Sequence, residues 1–263
     1  MNKKTLAVLA AVGLVVLLSV SVVMANMMNT PSPVDERGAM DAAEKFGEVG
    51  MPVSVSISEF PGQPDQYEVV TDKGATVWVD LTGRVRAVHG VVSRVTGTDL
   101  PMDDSEARKV AEAFLADHHP GFGSMVLSHT FWLSDDAVVF SWSEFAASGA
   151  RLMREASLTV NCATGTLSSY VARYDAVEGV STEPKVSADE VTETFRANEE
   201  RAGALVEECS LEVQKDAQGL ERLVWRVTYR PMIAGPKGET FQGMGMSAFF
   251  DAETGEDITA DFR

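Results

Sequence analysis

One pattern occurs three times along this chain of 263 residues: a short amphipathic helix, followed by strands that end in a tight turn. In each predicted helix, residues at i, i+4 and i+7 form a stripe on one face, and that face has to pack against other structure. The stripes are Ala39, Ala43 and Phe46, then Ala107, Ala111 and Phe114, then Ala188, Thr192 and Phe195. The recurrence predicts a repeated arrangement in which each helix packs on a sheet.

Each copy is predicted to end in a hairpin turn that opens with Asp or Asn and closes with glycine. The turn segments are Val79–Gly83, Val160–Gly165 and Phe250–Gly255. An Asp or Asn side chain can accept a hydrogen bond from the backbone two residues on, and glycine adopts the positive φ that closes such a turn. The closing glycines are 82 and 90 residues apart, which gives a repeat unit of roughly 80–90 residues.

Strand patterns lie between the helices and these turns. In the second copy Val138, Phe140 and Trp142 are large and apolar, and Ser141 and Ser143 alternate with them. The segment Trp225–Tyr229 of the third copy alternates in the same way. A period of two indicates antiparallel strands with one buried face.

The helix ends are also marked in the sequence. Asp103 with Glu106, and Ser187 with Glu190, match the capping box, in which two side chains satisfy free amides of the first helical turn. Pro120 ends the second helix, because proline disfavours helical geometry in the residue before it. Helices with defined starts and strands with one buried face together predict the α+β fold class.

The N-terminal segment bears on where the protein is located. After two lysines, residues 5–25 carry no charge, and at about 1.5 Å per helical residue they span roughly 30 Å, the thickness of a bilayer core. An uncleaved transmembrane anchor fits this length and places the lysines in the cytoplasm. A cleaved signal peptide, with Val23–Ala25 as its cleavage site, is the alternative.

Both alternatives place the rest of the chain outside the cytoplasm. The predicted localisation is the cell membrane, with a single pass and the C-terminal part outside, or secretion if the leader is cleaved. The predicted leader is residues 1–25, and it serves as membrane anchor or signal peptide. Residues 26–34 contain two prolines and are predicted to link the leader to the folded part.

The charge and the cysteines limit the partners and the metal sites. The chain has 22 basic and 39 acidic residues, a net charge of −17, and without the two lysines of the leader the charge is −19. Nucleic acid is excluded as a partner, because neutralising phosphates needs a basic face. Cys162 and Cys209 are too few for a paired-cysteine zinc framework. Outside the cytoplasm they can form a disulfide or remain free thiols, and the sequence leaves both open.

No catalytic, cofactor-binding or metal-binding residues are predicted. His118 and His119 are adjacent rather than at i and i+4 of a helix, so they are expected to lie at a solvated helix end. His89 and His129 have strand-like surroundings and are expected to be surface or packing residues. Gly-x-Ser-x-Gly does not occur in the sequence, and neither cysteine has a histidine near it in the chain.

Two further features are interpreted as structural. Counted from Asp251, the acidic run 251–257 places glycine at position 5 and Phe262 at position 12, which does not match a calcium-binding EF-hand loop. No glycine-rich phosphate loop follows a strand, so no cofactor or small-molecule ligand is identified. The tryptophans are expected mostly in the core rather than in a ligand platform. They are Trp78, Trp132, Trp142 and Trp225.

A helix with small and aromatic residues on one face, followed by strands ending in Val-Asp-x-x-Thr-Gly, resembles the PepSY domain family. The second copy is also similar to the related YcdB/YcdC-type repeat of YpeB-like extracytoplasmic proteins, although Asn161 stands where aspartate is usual. The residues that carry the resemblance are Ala107, Ala111, Phe114, Phe140, Trp142, Val160, Asn161, Thr164, Gly165, Tyr170, Phe195, Trp225, Tyr229, Asp251, Thr254 and Gly255. The resemblance implies a non-catalytic module outside the cytoplasm that binds and regulates peptidases or wall-lytic enzymes.

The predicted organisation is a partial PepSY-like unit at residues 35–100, a PepSY/YcdB-like unit at 101–178 and a PepSY-like unit at 184–263. The predicted function is that of a membrane-tethered, non-catalytic protein that binds, and regulates or inhibits, an exported peptidase or cell-wall hydrolase. Strand addition at an exposed sheet edge, or a groove between helix and sheet, are two ways to bind such a partner. A structural or assembly module of a cell-envelope complex is one alternative, and an unrecognised enzyme is another.

Overall fold

A computed structural model describes residues 33–58, 65–95, 99–175, 177, 179–198, 201, 203–234 and 239–262. Its α-helices are α1 (Glu36–Glu44), α2 (Asp104–His118) and α3 (Ala188–Ala197). Within the described ranges no helix is both long and apolar enough to cross a membrane. The predicted leader, with its apolar residues 5–25, lies outside these ranges, as do most residues of the predicted linker.

Thirteen strands are found in the described part of the chain. They are β1 (Pro52–Ser58), β2 (Gln66–Thr71), β3 (Thr76–Asp80), β4 (Val85–Arg94), β5 (Met125–Ser134), β6 (Ala137–Phe145), β7 (Arg151–Asn161), β8 (Thr166–Tyr174), β9 (Leu205–Lys215), β10 (Glu221–Arg230), β11 (Met232–Ala234), β12 (Thr240–Gln242) and β13 (Met246–Asp251). Short 3-10 turns follow at Phe122–Ser124 and Thr259–Phe262. The molecule is therefore an α+β protein, as the sequence patterns predict.

Eleven of the strands form one mixed sheet, and β11 and β12 form a separate two-stranded ribbon. Strands β1 to β4 are successive antiparallel neighbours, and so are β5 to β8. The two groups join through their last strands, since β4 pairs antiparallel with β8 and Val88 lies opposite Tyr170. Strands β9, β10 and β13 continue the sheet through a single parallel bridge between Arg151 and Glu212.

Two main hydrophobic clusters lie between the helices and the sheet. The larger one packs α1 and α2 on β2 to β4 and β6 to β8, so the predicted segments 35–100 and 101–178 share one core. The smaller one lies under α3 and contains Phe195, Val227, Tyr229 and Phe250. Helix, strands and turn therefore recur three times along the chain. Their interpretation as tandem PepSY-like units is not confirmed.

The predicted helix stripes and starts agree with the structure. The stripe residues of α1 and α2 are buried, and both capping boxes are formed, one by Asp103 with Glu106 and the other by Ser187 with Glu190. In α3, however, Val191 rather than Ala188 is the fully buried partner of Phe195. The i, i+4, i+7 spacing misses Val191 because residues at i, i+3 and i+4 all lie on one face of a helix. The sequence does not show which of these positions points inward.

The predicted hairpin turns are confirmed in detail. The Asp80 Oδ1 atom accepts hydrogen bonds from the Thr82 amide at 2.9 Å and from the Thr82 hydroxyl at 2.6 Å. Asn161 and Asp251 accept the corresponding hydrogen bonds from the threonines of their turns. Gly83 has a φ of +83°, and the glycines that close the other two turns also have positive φ. The carboxylate of Asp251 thus serves a turn, as predicted for the acidic run.

Two expectations about individual side chains are wrong. Trp142 is buried in the larger core, but Trp132 is 45% exposed, because it lies near the end of β5 where the described residues provide no covering element. His119 is buried rather than solvated, because its ring packs between α2 and β8, against Tyr170 and Tyr174. His118, its neighbour, is half-buried and stacks on Phe114 with ring centroids 4.2 Å apart.

Candidate binding surfaces

One candidate binding surface is the edge formed by β5. Among the described residues this strand pairs on one side only, with β6. Its sequence, Met-Val-Leu-Ser-His-Thr-Phe-Trp-Leu-Ser, contains no Asp, Glu, Lys, Arg or Pro. Four of its apolar side chains are exposed: Val126 by 58%, Phe131 by 49%, Trp132 by 45% and Leu133 by 62%.

Such an edge is open to pairing with another chain. Natural sheets usually protect their edges with lysine, proline, very short strands or bulges. β5 has ten residues and pairs regularly with β6 from His129 to Trp132, although register shifts flank this run. At the other end of this part of the sheet, β1 is shorter, begins at Pro52 and exposes two apolar side chains, Val53 by 60% and Ile57 by 58%.

The edge position of β5 was not predicted from the sequence. Its lack of formal charge is not a signal by itself, since residues 49–58 and 156–172 are uncharged as well. An uncharged run rich in apolar residues predicts a buried strand, because apolar side chains normally lie in the core. Only the strand order shows that this one lies at an edge.

A buried ion pair joins the two parts of the mixed sheet. Glu212 on β9 is only 2% exposed, and its carboxylate accepts a hydrogen bond from the Arg151 guanidinium of β7 at 2.6 Å. Ser210 and Gln214 donate to the same carboxylate at 2.9 and 2.7 Å, and Arg226 lies 3.8 Å from it. This network holds β9 and β10 against the polar face of β7.

Among the residues that the structure describes, no group of three or more His, Cys, Asp or Glu side chains is placed to hold a metal ion. His89 and His129 are exposed on strands β4 and β5, as surface residues. His119 instead belongs to a buried polar chain: its Nδ1 lies 2.9 Å from the Tyr170 hydroxyl, which lies 2.7 Å from the Tyr174 hydroxyl. The Tyr174 hydroxyl donates to the carbonyl oxygen of Val85 at 3.0 Å.

The direction of these hydrogen bonds fixes the tautomer of His119. Because Tyr174 uses its single proton on Val85, Tyr170 has to donate to Tyr174, and His119 has to donate from Nδ1 to Tyr170. The Nε2 atom therefore carries a lone pair, and it has no hydrogen-bond partner among the described residues. Burial, with a smaller contribution from Arg154, lowers the pKa of His119 from 6.5 to about 4.

We expect His119 to make the protein less stable as the pH falls from about 6.5 to about 4. In this range the unfolded chain takes up a proton that the folded chain excludes, so the free energy of unfolding falls by up to about 3 kcal/mol. The His119→Asn variant keeps a donor near the position of Nδ1 but does not titrate. Urea unfolding of both proteins between pH 7.5 and 4 should show a smaller loss of stability in the variant, and equal losses would contradict this role.

The two cysteines are free thiols in the structure. Cys162 is buried with the larger core, whereas the half-buried Cys209 packs against the smaller one. Burial raises the pKa of both thiols, and nearby carboxylates contribute in the same direction. Of the two possibilities left open by the sequence, the structure shows the unbonded one.

Comparison with known proteins gives little further information. No family model matches the chain, and no curated protein matches it. Among solved structures, the Bacillus megaterium YpeB C-terminal domain is similar, with a TM-score of 0.46 and 19% sequence identity. The match covers 86% of this chain and 96% of that one. This likeness is weak, and the PepSY resemblance remains a prediction from the sequence motifs.

Proposed function

We propose that this protein is a membrane-tethered, PepSY-like binding module outside the cytoplasm, and that it binds an exported protein by strand addition at β5. The observation that carries the proposal is the β5 edge, with its uncharged sequence and its exposed Phe131, Trp132 and Leu133. A partner strand would complete the backbone hydrogen bonds of this edge. The exposed aromatic rings would supply apolar area of the kind that dominates interfaces.

The class of partner in this proposal is the one that the resemblance to PepSY domains implies. The stripes and the turns that resemble PepSY domains favour an exported peptidase or cell-wall hydrolase, which the module would regulate or inhibit. The apolar residues 5–25 would hold the module at the outer face of the cell membrane. An uncharged strand suits recognition by a protein with a net charge of −17, because a partner segment at this edge meets no repulsion from the strand itself.

Two lysines on β5 should strongly weaken partner binding. In the variant Phe131→Lys/Leu133→Lys, pairing a partner strand would bury or oppose two ammonium groups, so we expect at least about tenfold less partner. Full-length tagged protein is cross-linked in intact cells, and the bound exported proteins are quantified by mass spectrometry. The expected result with the unmodified protein is enrichment of one peptidase or wall hydrolase.

The matched control places the same charges on β1, another strand with exposed apolar side chains. Val53 and Ile57 of β1 are as exposed as Phe131 and Leu133, so the variant Val53→Lys/Ile57→Lys has a similar cost in solubility and folding. This β1 variant should bind as much partner as the unmodified protein. Equal loss in both variants, or no exported enzyme with the unmodified protein, would contradict the proposal.

A structural role has one observation in its favour, because β1 and β5 both expose apolar side chains at separate edges of the sheet. Two such edges could join copies of the protein into an assembly. Analytical ultracentrifugation in non-ionic detergent distinguishes this role. A mass that increases with protein concentration, and that stays constant in either double-lysine variant, would favour assembly. A constant mass of the unmodified protein would favour the binding module.

A further inference from the structure

A polar groove runs between the β5–β8 part of the sheet and the strands β9, β10 and β13. It has a volume of about 450 Å³, which is within the usual range for small-molecule sites. Its floor is the face of the sheet opposite to α2, where serines rather than apolar residues point inward. Its wall includes Gln214, Arg226 and Phe249.

The floor carries hydroxyl groups with protons to donate. Ser143 donates to Ser128 at 3.0 Å, and Ser128 donates to the carbonyl oxygen of Ser141 at 3.0 Å. The hydroxyls of Ser141 and Ser157 lie 2.7 Å apart, and one of them donates its proton to the other. One proton of this pair therefore remains for a ligand, since each hydroxyl carries one.

The charge of the groove is positive by one unit. Arg151 and Arg226 face the carboxylate of Glu212, and Arg151 also lies 3.6 Å from Glu155. The groove therefore has three guanidinium groups, including that of Arg173, and two carboxylates. Arg173 on β8 lines the groove, is exposed, and makes no hydrogen bond or ion pair with the residues that the structure describes.

We propose that this groove binds a small monoanionic carboxylate through Arg173 and the Ser141–Ser157 hydroxyl pair. A guanidinium donates two parallel hydrogen bonds to a carboxylate, and the remaining hydroxyl proton can serve one of its oxygens. The single excess positive charge matches one carboxylate better than a dianionic phosphate. The site lies on a face of the sheet and does not depend on a partner at the β5 edge.

Calorimetric titration of the full-length protein in non-ionic detergent tests this site. The probes are N-acetyl-trialanine with a free carboxylate and glucuronate, and their uncharged counterparts are N-acetyl-trialanine amide and glucose. We expect at least one carboxylate to bind, and at least about tenfold more tightly than its counterpart, because charge-assisted hydrogen bonds are lost. Comparison of the two probes distinguishes a peptide terminus from a sugar acid as the source.

The variants locate the site. Arg173→Gln should weaken binding of the carboxylate at least about tenfold. Arg94→Gln, which changes another exposed strand arginine outside the groove, should leave it unaltered. The proposal is overturned if neither carboxylate binds, if the neutral counterparts bind equally well, or if both variants lose binding to the same extent.

Discussion

Replacing Phe195 by alanine should destabilise the protein by about 3–5 kcal/mol, the usual cost of truncating a buried phenyl ring. Phe195 is fully buried at the centre of the smaller core. Its ring contacts Tyr229 at 4.8 Å and Phe250 at 6.4 Å between centroids, and the guanidinium of Arg201 lies 5.2 Å above it. The substitution therefore leaves a cavity and removes three specific ring contacts.

Urea unfolding followed by tryptophan fluorescence measures this loss, since Trp225 packs against the same core. Glu193→Ala, on the exposed face of the same helix, is the matched control and should change the unfolding free energy by less than about 0.5 kcal/mol. A Phe195→Ala loss below about 1 kcal/mol would mean that α3 does not pack as described. Phe114→Ala in the larger core is expected to cost about as much.

The second large effect is expected at the ion pair between Arg151 and Glu212. Arg151→Met removes the closer of two guanidinium partners from a carboxylate that is only 2% exposed, and breaking a buried ion pair by removing one partner costs about 3–5 kcal/mol. Arg226, at 3.8 Å, is too far to replace the lost hydrogen bond. Arg151 and Glu212 form the only described bridge between β7 and β9. We therefore expect β9, β10 and β13 to separate from the rest of the sheet before the other strands unfold.

A double-mutant cycle measures this coupling. Arg151→Met combined with Glu212→Gln should be more stable than Arg151→Met alone, because the orphaned charge is gone. Arg154→Met is the control, since Arg154 pairs with Glu144 near the surface and should contribute less than about 1 kcal/mol. If Arg151→Met is as mild as Arg154→Met, the ion pair does not hold β9 in place.

The repeated local elements were predictable from the sequence, because each depends on residues close together in the chain. The capping boxes and the hairpin turns need only three to six consecutive residues, and the structure contains them as predicted. The stripes of α1 and α2 follow from helical periodicity alone. The α+β class follows from the same patterns.

Contacts between distant parts of the chain could not be predicted in this way. The pairing of β4 with β8, the bridge from Arg151 to Glu212 and the edge position of β5 all join residues that no local pattern relates. His119 illustrates the same limit, because a polar residue at a helix end is normally solvated, and its burial depends on tyrosines more than 50 positions later. The groove with Arg173 depends on residues from seven strands, β5 to β10 and β13, meeting in space.

The proposal that β5 binds an exported protein is tested most directly by photo-cross-linking in intact cells. A photoreactive phenylalanine analogue replaces Trp132 on β5 in one full-length variant and Ile57 on β1 in another. We expect one exported peptidase or wall hydrolase to be cross-linked from position 132 and not from position 57. No adduct at position 132, or the same adducts from both positions, would contradict the account.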